Sequence, residues 1–151
     1  MAVTRTTRRP TRRPTVGTRR TGYVIAAALN AVLLYLVNVW PGWQAVPFLT
    51  EDTRQVLGLV NLSLAASIAV NLVYLAYDPR WVRSLGDLLT TSIGLAGIVR
   101  VWQVFPFDVD GYSVDWALVI RGVLVVAGVG AAIGILVQLV ALIRAYRDPR
   151  T

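Results

Sequence analysis

Six polar or charged side chains interrupt stretches that are otherwise almost wholly apolar: Arg54, Asn71, Asp87, Arg100, Arg121 and Gln138. Among Val, Leu, Ile and Ala such groups are costly to place, so each marks either a functional point or a pairing point. Arg100 stands six residues before Pro106 and Arg121 six after Asp115, which puts both at a similar depth beneath one surface. Together with Arg54 they could form an anion-attracting vestibule. The simpler expectation is structural: pairing with Glu51, Asp52, Asp108, Asp110 or Asp115, with the long side chains reaching outward. Asp87 lies one turn beyond Arg83 on what should be a common helix face, and an ion pair between the two is expected. Asn71 and Gln138, with Asn38 and Asn61, could line a polar pore, but amides in apolar helices more often bond across helix contacts.

The chain has no cysteine and no histidine. Disulfides, thiol nucleophiles, His-based proton transfer and the usual zinc and haem ligands are therefore absent from its chemistry. No Gly-rich phosphate loop or Ser-nucleophile elbow occurs, and no acid stands beside a Ser in an interpretable way. Catalytic, cofactor-binding and metal-binding residues are accordingly assigned to none, and no cofactor is expected.

The elements that would carry these residues are hydrophobic. Of 151 residues 56% are apolar and only 15% charged, where a soluble domain carries about 25% charge. Four apolar runs, at about 22–40, 53–77, 84–105 and 114–143, each match or exceed the ~20 residues that cross a bilayer as a helix. Pro41-Gly42, Asp78-Pro79 and Pro106 punctuate them, with Arg80-Trp81-Val82-Arg83 as a tight connection and Thr50 or Asp52 as the cap of the second span. The fourth run is longer than one bilayer and should tilt or project. Thr18-Arg19-Arg20 before the first run resembles a twin-arginine export signal, but no small-residue cleavage site follows, so a retained span is expected.

The fold class is thus all-α integral membrane, a four-transmembrane-helix bundle. Residues 1–21 form an Arg/Thr/Pro-rich tail, too polar to order itself; 22–146 form the membrane domain; and 147–151 form a short C-terminus. Seven of the fifteen arginines lie in the first twenty positions, two in the 80–83 connection and three at the C-terminus. Positive charge concentrates on the cytoplasmic side of membrane proteins, so both ends are placed there in a plasma-membrane, multi-pass arrangement. All five tryptophans fall near span ends, as indole rings prefer. In the tail, Arg5, Arg8, Arg9, Arg12, Arg13, Arg19 and Arg20 are expected to meet anionic lipid headgroups. Nucleic acid is disfavoured as a partner, because the tail lacks interleaved aromatics and any recognition fold. Arginine without lysine, beside abundant Val and Ala, reads as the codon usage of a GC-rich bacterial genome.

Two further patterns bear on assembly. Val46-Pro47-Phe48 is echoed by Phe105-Pro106-Phe107, and Ala76-Tyr77-Asp78-Pro79-Arg80 by the Ala-Tyr-Arg-Asp-Pro-Arg ending at 145–150, which raises two parallel two-helix repeats. Small residues recur every four positions in Gly22-Ala26-Asn30, Ser63-Ser67-Asn71, Gly86-Thr90-Gly94 and Gly130-Gly134, a spacing that lets helices approach closely. The expected role is a non-enzymatic scaffold or accessory subunit, as a homo-oligomer or within a larger membrane complex. The alternative is an oligomeric channel or transporter for a small anionic solute, and a membrane enzyme stands third.

Overall fold

The computed structural model describes residues 16–109 and 113–147. Among these residues four α-helices make up the fold: α1 Val16–Asn38, α2 Arg54–Ala76, α3 Arg80–Val104 and α4 Trp116–Arg147. All four are long and apolar enough to cross a membrane. At 1.5 Å per residue the 32 residues of α4 extend about 48 Å, well beyond a ~30 Å hydrocarbon core.

Helix boundaries differ from the sequence expectation at several places, α4 for one continuing to Arg147 where its apolar run ends at 143. Helix α1 begins at Val16, so residues 16–21, assigned above to the tail, form its first turns. They are held there by Asp78, which faces Arg19 and Tyr23 across the helix pair. Residues 1–15, with Arg5, Arg8, Arg9, Arg12 and Arg13, lie outside the described residues, as do Asp110 and the ending at 148–151. The Arg80–Arg83 connection is instead the first turn of α3. Pro79 is extended (φ −73°, ψ 156°) and sets the helix entry, and the Arg83 N–H reaches its carbonyl at 3.2 Å. The cap expected from Thr50 or Asp52 is not made by either side chain. The Thr50 N–H instead donates to Pro106, and the Asp52 carboxylate accepts from Gln55. A side-chain cap does appear on α4, where Asp115 Oδ1 accepts the Leu118 N–H at 2.9 Å.

Polar contacts at both ends of each helix pair show that neighbours run antiparallel. Tyr23 meets Asp78 at one end of α1 and α2, and Asn38 meets Asn61 near the other. Tyr74 meets Asp87 at one end of α2 and α3, and Gln55 meets Arg100 at the other. Thr91 meets Gln138, and Trp102 meets Arg121, between α3 and α4. Extensive packing joins α1 to α2, α2 to α3 and α3 to α4, but not α1 to α4. The helices therefore pack in sequence order as an open row, without extensive packing between α1 and α4.

Two loops close one end of this row, here called the loop end. The α1–α2 loop carries short 3-10 turns at Trp43–Ala45 and Glu51–Thr53. Leu49 lies opposite Phe107 in an antiparallel bridge, with Thr50 N–H donating to Pro106 O (3.1 Å) and Asp108 N–H to Phe48 O (2.9 Å). The two echoed Pro-Phe segments thus pair with each other, and Pro106 is fully buried beneath them. Trp43, Thr53 and Val56 are buried at the same end. Elsewhere many large apolar side chains point outward, Leu118 and Val126 on α4 being 69% and 73% exposed. Left in water, four helices with this much bare hydrocarbon would lose roughly 25 cal/mol for each Å² left uncovered.

Candidate functional site

The opposite end of the row, where α1 starts, α2 turns into α3 and α4 finishes, holds the densest polar cluster among the described residues. Asp78 stands in the three-residue turn between α2 and α3. Its Oδ1 accepts the Tyr23 hydroxyl proton at 3.0 Å and lies 3.1 Å from Arg83 Nε, while its Oδ2 lies 3.7 Å from Arg19. The Arg83 Nε contact is an ion pair without the alignment of a hydrogen bond. One carboxylate thereby ties α1 to the start of α3.

Tyr74, buried one turn earlier on α2, has its hydroxyl 2.7 Å from the Arg83 carbonyl and 2.9 Å from Asp87 Oδ1. Its ring packs against Tyr23 at a 60° tilt, centroids 5.3 Å apart, and lies over Gly86 on α3. A Cβ at Gly86 would fall 2.7 Å from Val70 Cγ1 and 2.9 Å from Tyr74 Cζ. The expected Arg83–Asp87 pair is therefore corrected. Arg83 turns back to Asp78, and Asp87 takes the Tyr74 hydroxyl, because the tyrosine ring fills the space between the two helices.

Beside this cluster, where α1 and α4 do not pack extensively, lies a cleft of about 1550 Å³. Arg19, Asp78, Arg80, Arg83 and Asp87 line one side. The α4 side runs from Leu136, Val137, Val140 and Ala141 to Arg144 and Arg147. Five arginines against two aspartates leave the lining net positive. Arg80, Arg144 and Arg147 are exposed and have no ion-pair or hydrogen-bond partner among the described residues.

At the loop end the arginines singled out from sequence are dispersed. Arg54 pairs with Glu51 at 2.8 Å and lies 5.9 Å over the Trp43 ring. Arg100 reaches Gln55 Oε1 at 3.4 Å, and Gln55 in turn donates to Asp52 at 2.9 Å. Arg121 stacks on Phe105 (4.9 Å) and Trp102 (5.9 Å). Of the expected acid partners among the described residues, only Glu51 is met directly, by Arg54. For Arg121 aromatic faces replace carboxylates, since φ 43° at Phe105 turns the chain sharply at the end of α3.

The amides do not converge on a pore. Asn38 and Asn61 exchange two hydrogen bonds, at 2.8 and 2.7 Å, between α1 and α2. Asn71 donates to Ser67 O on its own helix (2.7 Å), and Gln138 donates to Thr91 on α3 (3.1 Å). Of the glycine stripes, Gly86 is in tight contact and Gly134 lies near Thr91, whereas Gly22, Gly94 and Gly130 face open space. Among the described residues no cluster of acids could hold a metal ion. Arg19 is drawn to Asp78 instead of facing outward; Arg20 is exposed.

Compared with protein-family models, curated proteins and solved structures, the chain matches none.

Three contributors to the cluster were not singled out from sequence. Asp78 read only as a helix terminator, and Tyr23 and Tyr74 read as ordinary members of apolar runs. A signal was present in the recurrence of Tyr and Asp near one end of adjacent spans, where aromatic hydroxyls find polar partners.

Proposed function

We propose that the chain is a multi-pass membrane protein with both ends on the cytoplasmic side, acting as a non-enzymatic scaffold or accessory subunit. The observation that carries this reading is the open row. Helix α4 is apolar on all sides yet packs extensively on α3 alone among the helices, and α1 likewise on α2 alone, so both outer helices offer long apolar faces to lipid or to partner helices. Threading rests on arginine asymmetry: the end bearing Arg19, Arg20, Arg80, Arg83, Arg144 and Arg147 is the positive one. The remaining tail arginines are assigned to anionic headgroups on that side. The two antiparallel helix pairs, α1–α2 and α3–α4, accord with a duplicated hairpin, although different side chains tie each pair.

The anion-conducting alternative requires Arg54, Arg100 and Arg121 around one path. Their separate partners give it less support than the scaffold role. Purification in mild detergent, followed by cross-linking and mass spectrometry, tests the reading. A defined membrane partner, or a discrete homo-oligomer, is expected, with no anion flux from proteoliposomes. A monomer without partners that conducts anions, and loses conduction on Arg100→Gln or Arg121→Gln at unchanged expression, would overturn it.

A further inference from the structure

We infer that the cleft between α1 and α4 is a binding site for one anionic phospholipid. The inference rests on membrane insertion and not on the scaffold role. The α4 wall is ordered along its axis as a phospholipid is ordered along its length. Leu136, Val137, Val140 and Ala141 form an apolar stripe at helical spacing, and Arg144 and Arg147 follow on the same face. An acyl chain lies along the stripe, and the phosphate meets the arginines where α4 ends.

Charge complementarity favours this occupant over a neutral one. Asp78 is already offset by Arg19 and Arg83, whereas Asp87 keeps its charge beside the Tyr74 hydroxyl, so five arginines against two carboxylates leave the lining net positive. Among the described residues, the cleft arginines without an ion-pair partner are Arg80 on α3 and Arg144 and Arg147 on α4, which line the mouth from two sides. Guanidinium groups suit phosphate oxygens, and basic pockets between membrane helices hold anionic headgroups. Trp81 at the rim is half-exposed and braced edge-on by Tyr77 at 6.4 Å, an aromatic anchor at headgroup level. The lipid also covers the lateral opening that α1 and α4 leave unpacked.

The test uses the full chain in detergent, mixed with phosphatidylglycerol or phosphatidylcholine and weighed by native mass spectrometry. One retained phosphatidylglycerol per chain is expected, with phosphatidylcholine retained far less. The double substitution R144Q/R147Q should weaken retention about thirty-fold, at about one elementary arginine–headgroup interaction lost per site. Arg54→Gln at the other end should leave it unchanged. Because the chain has no cysteine, a second arm needs no arginine variant. A spin label at Val140→Cys should sense spin-labelled phosphatidylglycerol more closely than spin-labelled phosphatidylcholine, whereas one at Val126→Cys should not discriminate. Equal retention of both lipids, full displacement by glycerol phosphate or inorganic phosphate, or a protein adduct in place of lipid would each overturn the inference. Loss of lipid retention in a chain that still needs detergent would refute the cleft alone and leave membrane insertion standing.

Discussion

Substituting Gly86 with alanine should open the joint between α2 and α3. The added methyl would sit 2.7 Å from Val70 Cγ1 and 2.9 Å from Tyr74 Cζ, and nearer still to the Tyr74 hydroxyl, where unstrained carbon contacts lie at about 3.5–4.0 Å. The tyrosine ring is held between Tyr23 and α3, so it cannot move aside without losing contacts. Overpacking of this kind costs about 1–3 kcal/mol. Displacing the hydroxyl from Asp87 and the Arg83 carbonyl adds roughly 0.6–2 kcal/mol. Reversible unfolding in mixed micelles, followed by tryptophan fluorescence, measures the sum. Gly94→Ala and Gly130→Ala meet open space and serve as controls, expected to be neutral or mildly stabilising. Since Tyr74→Phe removes the closest atom, the cost of Gly86→Ala should shrink in that background, a coupling read by a double-mutant cycle. A neutral Gly86→Ala, or equal losses at Gly86 and Gly94, would refute the reasoning.

Three further outcomes follow from the same contacts. Asn38→Ala and Asn61→Ala should each destabilise the α1–α2 pair by roughly 0.6–2 kcal/mol, with the double variant costing little more than either, because one reciprocal amide pair is lost in each case; micelle unfolding of the three variants checks this. Asp78→Asn removes the charge facing Arg19 and Arg83, so backbone amides in the first turns of α1 should exchange hydrogen faster while those near Asn38 do not change. Arg121→Gln should cost about 0.5–2 kcal/mol through the lost ring contacts, and its effect should fall in a Trp102→Leu background.

The helices were largely legible in the sequence because their signals are local. Apolar runs of bilayer length set α1 to α4, and Pro79 and Pro106 mark where α2 and α3 must stop. The partners were not legible, because helical spacing says which residues share a face but not what that face meets. Asp87 and Arg83 do share a face, yet Tyr74 from the next helix takes the carboxylate. Gly86 and Gly94 belong to one stripe, but only Gly86 lies under a neighbouring ring. Arg121 had carboxylates nearby in sequence, and the left-handed turn at Phe105 gave it aromatic faces instead. The row's failure to close between α1 and α4, which creates the basic cleft, leaves no mark in any single segment.

Threading through the bilayer is the claim on which the rest depends, and single-cysteine labelling tests it most directly. In a chain without native cysteine, Gln44→Cys and Ser113→Cys at the loop end should react with an impermeant maleimide applied to intact cells. Trp81→Cys and Tyr146→Cys should react only after permeabilisation. Labelling of Gln44 and Ser113 from opposite faces, or of Trp81 from outside, would contradict the four-span arrangement with cytoplasmic ends.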